Sequence, residues 1–233
     1  MSAEVVKFPA AIIALLLCST TAVADDAAAG PGYAWPDSFI ARVEALALLQ
    51  TLNVELLSHD SATATLERWC DSHRLASPPR IVAQRVAGAD RPPSDEQRRE
   101  LRVTTGVSVR YRHVRLLCGT VLLSEADNWY VPARLTRQMN RMLDATDTPF
   151  GRVVQALHFQ RHTISAQLLW LPLPEGWEMN PDAAGQGAGE LRMPPAVLQH
   201  RALLTLPDGT PFSEVVETYS GNVLAFPAPP PAG

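Results

Sequence analysis

Two segments with the pattern of β-hairpins restrict the possible folds of this chain more than any other feature. The first, residues 106–132, has two arms rich in β-branched and aromatic residues around a Gly-Thr turn at 119–120. The second, residues 200–220, repeats the pattern around an Asp-Gly turn at 208–209. Antiparallel strands pair through such turns, so the sequence predicts an antiparallel sheet at the centre of the fold.

The two hairpins also align with one another without a gap. Ser-Glu pairs at 124–125 and 213–214 coincide, and each pair is followed by Tyr and preceded by Arg at the same distances. One interpretation is an internally duplicated β unit. The other is two independent hairpins with similar chemistry at their edges.

Helical patterns lie on either side of the first hairpin. Apolar residues recur every three or four positions in residues 36–57, and a second helix, "SATATLERWC", is predicted to begin after a cap at Asp60 or Ser61. A further helix is predicted in "ARLTRQMNRMLDATD". Additional strands are predicted in "RIVAQRVAG" and "VVQALHFQRHTISAQLLWLPLP".

Composition indicates one globular domain without a nucleic-acid surface. Hydrophobic residues make up 46% of the chain and charged residues 19%, which is enough apolar material for a packed core. The net charge is −4 and the pI about 5.9. A nucleic-acid-binding protein usually concentrates Lys and Arg on one face, so we expect no such partner.

The first residues have the pattern of a signal peptide. Lys7 precedes an apolar run that ends in Ala22-Val23-Ala24, the small residues that a signal peptidase recognises. The predicted organisation is a signal peptide (1–24), a flexible segment (25–35), a folded domain (36–226) and a disordered proline-rich tail (227–233). The apolar run is shorter than the ~20 residues of a membrane span, so a periplasmic or secreted protein without stable membrane insertion is expected.

Cleavage would leave Cys70 and Cys118 as the remaining cysteines. In an oxidising compartment they form either a disulfide or two buried thiols, and the sequence supports both. His158 and His162 are four residues apart but lie in a predicted strand, the other histidines and the cysteines do not have the spacing of a metal site, and no glycine-rich phosphate loop is present. We therefore expect neither a metal nor an organic cofactor.

Arginine and glutamate within apolar strands are the candidate functional groups. Alternation in "SVRYRHVRLLC" puts Arg112 on the more apolar face and His113 and Arg115 on the other. A buried Arg has to be paired, so either a Glu of the facing hairpin or a small anionic ligand is expected beside Arg112. Glu217, within "SEVVETY", is a candidate for acid–base chemistry or for a structural ion pair.

Four segments occur in order along the chain: "ELLSHDSATATLERW", "RHVRLLCG" with "ADNWYVPARL", "DTPFGRVV" and "DGTPFSEVVETY". Together they resemble the chorismate pyruvate-lyases (4-hydroxybenzoate synthases) and their relatives of the chorismate lyase-like fold. The shared features are a helix followed by Asp-Ser-x-Thr, an Arg-x-aliphatic strand, a Thr-Pro-x-Gly-Arg segment and a hairpin that ends in Glu-x-aromatic.

This resemblance implies an α+β fold, an antiparallel sheet of about six strands with helices on one face. It also implies a cofactor-free removal of pyruvate from chorismate in a buried pocket. The site residues that it implies are Arg112 for the carboxylate, Glu217 for binding and proton transfer, the backbone of Ala62, and Phe150.

The alignment of the carboxylate-binding strand leaves three candidates. Matching Arg-x-aliphatic gives Arg112 and requires one extra residue in this strand, whereas matching "LLC" gives His113, and Arg115 is the third candidate. The expected function is binding of a small aromatic carboxylic acid outside the cytoplasm, with elimination of pyruvate from chorismate or an analogue. The alternative is a non-catalytic binding protein for small aromatic acids.

Overall fold

The computed structural model describes residues 33–88, 90–180, 187 and 189–229. The predicted signal peptide, most of the predicted flexible segment and the end of the predicted tail lie outside the described residues. Trp35 lies directly before the predicted start of the folded domain at residue 36. Trp35 is buried, and its indole N–H donates to the carbonyl oxygen of Phe226 at 2.8 Å, so Trp35 belongs to the core.

The main helices begin at hydroxyl caps, as the sequence suggests. Ser61 is the cap of the second helix, and its side chain accepts a hydrogen bond from the Ala64 N–H. None of the helices in the described ranges combines the length and apolarity needed to cross a membrane. The helices are α1 (Phe39–Leu57), α2 (Ala62–Ser72), α3 (Asp95–Glu100), α4 (Arg137–Ala145) and α5 (Phe150–Val153).

Six strands form one sheet in the order β1-β2-β3-β6-β5-β4, and every neighbouring pair is antiparallel. The strands are β1 (Ile81–Arg85), β2 (Arg110–Cys118), β3 (Val121–Tyr130), β4 (Gln160–Leu168), β5 (Leu198–Thr205) and β6 (Pro211–Tyr219). Both predicted hairpins are present, as β2–β3 and β5–β6. The predicted fold class, α+β with a six-stranded antiparallel sheet, is confirmed.

The two hairpins meet through β3 and β6 in the middle of the sheet. Ser124 lies opposite Tyr219, and Ser213 lies opposite Tyr130. The two Ser-Glu-to-Tyr segments of the predicted repeat therefore pair with each other as antiparallel strands. The gapless alignment does not extend to β2 and β5. Arg112 lies on the buried face of the sheet, whereas its match in the second hairpin lies on the other face, because a slip of one residue reverses a strand's side chains.

The hairpin β2–β3 contains a register shift, but not in the strand where the sequence alignment required an extra residue. Leu116 pairs with Ser124 and Leu117 pairs with Leu122, so the additional residue is Leu123 of β3. In β2 the alternation is unbroken. Arg112 therefore keeps its place on the buried face.

Most of the core lies between one face of the sheet and the helices α1 and α2. A smaller apolar cluster beneath α4 and α5 continues it along the same face. Helix α3 packs on the opposite face, where Gln97 approaches the buried Glu214. A disulfide joins Cys70 of α2 to Cys118 of β2, with Cα atoms 6.5 Å apart, and so resolves the two alternatives left by the sequence.

Candidate functional site

A cavity lies between the buried face of the sheet and the N-terminal ends of α2 and α5. Its volume is about 40 Å³, and it is partly open to solvent. Its walls are aliphatic and aromatic, with a few polar groups at fixed places. The polar residues that line it are Asp60, Ser61, Thr63, Arg112, Asn128, Arg161 and Glu217.

Arg112 is a buried guanidinium without a carboxylate partner. The residue is only 7% exposed, and among the described residues it forms no ion pair. Nη2 donates to the carbonyl oxygen of Thr148 at 3.2 Å, while Nε and Nη1 have no hydrogen-bond partner. Burial, together with the positive charge of Arg85, lowers the pKa of Arg112 to about 10. The group is still charged at neutral pH, and its two unpaired nitrogens can donate hydrogen bonds to an anion.

A second buried guanidinium, that of Arg161, is paired. Its side chain reaches across β5 to β6, where Nη2 donates to Oε2 of Glu217 at 2.6 Å. Both side chains are less than a tenth exposed. Burial alone lowers the pKa of Arg161, but the attraction of Glu217 outweighs it, so the pKa is raised. This ion pair closes the end of the cavity that lies away from Arg112.

Tyr219 and His200 complete the surroundings of Glu217. Burial raises the pKa of the Tyr219 phenol, which donates to Oε2 of Glu217 at 3.2 Å. His200 is adjacent to Glu217 on β5 and is fully buried. Burial and the charge of Arg161 lower the pKa of His200 to about 4. The neutral ring lies with Nε2 2.8 Å from Oδ1 of Asn53, and Nε2 is the donor because an amide oxygen only accepts.

The apolar roof of the cavity depends on a close approach of α2 and α5. Phe150 lines the cavity and stacks on Phe212 with ring centroids 6.3 Å apart. A Cβ at Gly151 would lie 3.1 Å from Oγ1 of Thr63 and 3.2 Å from Oγ of Ser61, which is tighter than ordinary contact, so the two helices approach closely here. The first N–H groups of α2 at the cavity have no acceptor within their own helix.

The structure brings four of the six predicted site residues together. Arg112, Glu217, Ala62 and Phe150 all line the cavity. Arg112 and Glu217 are on strands separated by β3 and are offset by two residues along the sheet, so their backbones lie about 12 Å apart. The gap between their head groups is where a small ring would be accommodated.

His113 and Arg115 do not reach the cavity, and their inclusion as ligand-binding candidates is corrected. Alternation along β2 turns both toward the opposite face. There Nδ1 of His113 lies 2.8 Å from Oδ1 of Asp127, and Nε of Arg115 lies 3.0 Å from Oε1 of Glu125. Both side chains are occupied by these partners.

Sequence reasoning missed Arg161 and Asn128. Arg161 follows the same rule that identified Arg112, an Arg inside an apolar strand, but its segment is interrupted by a bulge at Ile164. Asn128 belongs to "SEADNWYVP", and alternation does turn it toward the cavity, opposite Arg112. Its amide oxygen accepts from Oγ of Ser213 at 2.9 Å, so Nδ2 is the group of this side chain that remains to donate.

In the ranges that the structure describes, no three His, Cys, Asp or Glu side chains are grouped in a way that would hold a metal ion. The polar groups that line the cavity are two guanidiniums, two carboxylates (Asp60 and Glu217), one amide, two hydroxyls and the first turn of α2.

No protein-family model matches the chain. The uncharacterized protein y4mC of Sinorhizobium fredii (strain NBRC 101917 / NGR234) is 56% identical over 196 residues, which cover 84% of this chain and 83% of that protein. The chain belongs to the same protein family as y4mC.

Several solved structures are similar to part of this chain. PhnF from Mycobacterium smegmatis gives a TM-score of 0.43 at 12% identity, covering 75% of this chain and 70% of that one. The effector domain of PhnF gives 0.40 at 14% identity, covering 69% and 94%. YydK from Bacillus subtilis, described as a possible transcriptional regulator, gives 0.38 at 14% identity, covering 64% of this chain and 61% of that one, less than two thirds of its length.

Proposed function

We propose that the protein binds a small aromatic carboxylic acid in the cavity, with the carboxylate on Arg112. One observation carries the proposal: Arg112 is buried, charged and unpaired, with two nitrogens that have no partner. An uncompensated buried charge is costly, so its retention is best explained by a ligand that supplies the missing negative charge. The planar guanidinium fits a carboxylate particularly well.

The remaining walls favour an aromatic ring as the body of the ligand. Phe150, Phe159, Leu204 and Val215 provide apolar contact between the two charged ends of the cavity. Apolar walls with a few placed polar groups are typical of small-molecule sites. Nδ2 of Asn128 and the first turn of α2 are available for hydrogen bonds to the ring's substituents.

We propose further that binding occurs outside the cytoplasm. The signal-peptide pattern at residues 1–24 supports this, and so does the disulfide between Cys70 and Cys118, because disulfides persist mainly in oxidising compartments. Fractionation of cells that express the full chain tests it. Recovery of the uncleaved protein in the cytoplasm would contradict the proposal.

A second candidate is elimination of pyruvate from chorismate or an analogue, the activity implied by the resemblance to the chorismate lyase-like family. Its supporting observation is that Glu217 lines the same cavity as Arg112. Against it, the carboxylate of Glu217 already accepts from Arg161 and Tyr219. A group held in this way is better suited to shaping the cavity than to exchanging a proton, so we rank binding first.

Calorimetric titration of the mature protein with 4-hydroxybenzoate, and with the uncharged 4-hydroxybenzamide, tests the proposal. The carboxylate should bind and the amide should bind at least about tenfold more weakly, since a hydrogen bond to a charged group contributes about 1.5–3 kcal/mol. Arg112→Gln should remove this preference. Arg115→Gln is the matched control on the same strand, and it should leave the affinity unchanged because Arg115 lies on the other face.

The same preparation distinguishes the two candidates. Incubation with chorismate should produce no 4-hydroxybenzoate if the protein is a binding protein, and stoichiometric pyruvate with 4-hydroxybenzoate if it is a lyase. Equal affinity of wild type and Arg112→Gln for every carboxylate would contradict both.

A further inference from the structure

The two edges of the sheet differ in how they are covered. The edge strand β1 is short, and the N–H groups of Ile81 and Ala83 donate to Glu67 and to the carbonyl oxygen of Asp147. Charged residues, Arg80 and Arg85, lie at both ends of this strand. Natural edge strands are usually protected in this way against pairing with another sheet.

The opposite edge strand, β4, has nine residues and is exposed over most of its length. Arg161 is the part of β4 that is covered: its N–H donates to Asp60 at 2.8 Å, and its side chain is buried. Thr163 and Ala166 are exposed although their neighbours on β5, Ala202 and His200, are fully buried. The helical layer therefore stops at β5 and leaves both faces of β4 open.

Exposed apolar side chains lie on β4 and directly beside it. Ile164 is 40% exposed, and Leu169 and Leu171, directly after β4, are 42% and 58% exposed. On α1, Leu57 (45% exposed) lies on the same flank as Asn53, which contacts β5. We call these four residues, together with the edge of β4, the β4 surface.

The charge pattern of the β4 surface fits a second copy of itself. Between residues 162 and 172 there is no Asp, Glu, Lys or Arg. In a two-fold antiparallel pairing, each residue faces a residue of the same strand in the partner, so any charge near the axis would face a like charge. Here none does when the axis lies between residues 162 and 172, and Thr163, Ser165 and Gln167 can hydrogen-bond across the axis. A lipid surface fits less well, because Glu175 and Glu178 follow the strand closely.

The area needed for a stable dimer decides which residues have to take part. A nine-residue strand is about 30 Å long and a sheet about 10 Å thick, so the edge alone offers about 300 Å² per partner. A standard interface buries about 800 Å² per partner. The bulge at Ile164 also limits regular pairing to Ser165–Leu168. The apolar side chains beside the strand must therefore be buried as well.

We propose that two copies of this chain associate through the β4 surface, with their β4 strands antiparallel across a two-fold axis and with Ile164, Leu169, Leu171 and Leu57 packed beside them. The sheets then join into one sheet of twelve strands. The interface is at the edge of the sheet farther from Arg112, which is on β2 near the opposite edge.

Sedimentation equilibrium on the mature, oxidised protein tests the proposal. Wild type should show a concentration-dependent mass that approaches twice that of the chain. The double variant Ile164→Lys/Leu169→Lys should be monomeric, because four lysines would meet at the axis. Val82→Lys is the matched control: Val82 is 41% exposed on the other edge strand, so this variant should dimerise as wild type does.

Two further measurements keep the result interpretable. Far- and near-ultraviolet circular dichroism should be the same for the three proteins, since all the substituted side chains are partly exposed. Ala166→Cys and Gln167→Cys are made separately, and one of them should form an intermolecular disulfide under mild oxidation, because a two-fold pairing over Ser165–Leu168 puts one of these residues opposite its own copy. A monomeric wild type at every concentration, a double variant that still dimerises, or a monomer that sediments with neutral lipid vesicles would each overturn the proposal.

Discussion

Arg112 and Arg161 are two buried guanidiniums at opposite ends of one cavity, and they differ in what balances their charge. Arg161 has Glu217 at 2.6 Å, whereas Arg112 has only the carbonyl oxygen of Thr148 at 3.2 Å. Both are nearly inaccessible to water. Burial lowers the pKa of Arg112, while the ion pair raises that of Arg161.

The difference separates a structural charge from a ligand-binding one. A buried ion pair is costly to break, because removal of either partner leaves the other uncompensated. The unpaired Arg112 already carries that cost in the unliganded protein. Arg161 therefore contributes to the stability of the fold, and Arg112 contributes to the affinity for an anion.

The largest expected effect on stability comes from breaking the ion pair of Arg161 and Glu217. Glu217→Gln leaves Arg161 buried without a counter-charge, so we expect the free energy of unfolding to fall by about 3–5 kcal/mol, the usual cost of breaking a buried pair. Urea denaturation of the oxidised protein measures it. Glu125→Gln, which breaks the exposed pair with Arg115, is the control and should change it by no more than about 1 kcal/mol. Equal losses in the two variants would mean that the buried pair is not structural.

We expect a smaller effect from His200, which lies beside Glu217 and should make the stability depend on pH. Its pKa is about 4 in the folded protein, below the ordinary value of 6.5, so the unfolded chain binds the proton more tightly. This contribution is complete above pH 6.5 and is lost as the pH falls toward 4. It amounts to at most about 3 kcal/mol.

Denaturation of wild type and His200→Gln at several pH values measures the contribution of His200. The difference in unfolding free energy between the two should shrink as the pH falls from 6.5 to 4. The control is His59→Gln, since the His59 side chain is about half exposed. A constant difference for His200→Gln across this window would show that burial does not lower the pKa of His200.

The sequence predicted the strands because their signals are local. Turn residues at 119–120 and 208–209, and β-rich arms on both sides, are sufficient to predict the hairpins. The order of strands is not a local property, and the alignment of the two hairpins failed by one residue between β2 and β5. One extra residue in a turn or bulge is enough to turn the following side chains to the other face of the sheet. Residue propensities do not reveal such an extra residue.

The placement of a site residue was predictable where it depends only on alternation within one strand. Alternation along β2 separates Arg112 from His113 and Arg115, and this separation is correct. The partner of Glu217 was not predictable, because Arg161 lies two strands away and its side chain crosses β5. Whether an Arg in a strand is paired depends on the order of strands, which the sequence does not display.

The smallest expected effect on stability comes from replacing Arg112, which has no ion-pair partner among the described residues. Arg112→Met removes a charge that has no counter-ion and leaves only the carbonyl oxygen of Thr148 without its donor. The relief of the buried charge and the lost hydrogen bond oppose each other, so the unfolding free energy of the unliganded protein should change by less than about 1 kcal/mol. Urea denaturation without ligand measures it.

Arg161→Met is the matched control for Arg112→Met, with the same residue types exchanged at equal burial. It leaves Glu217 buried without its cation and should lose about 3–5 kcal/mol. If the two variants lose equal stability, an unrecognised partner balances Arg112 and the ligand site is elsewhere. If only Arg161→Met is destabilised, Arg112 is not required for folding, and its burial is explained by the anion that it binds.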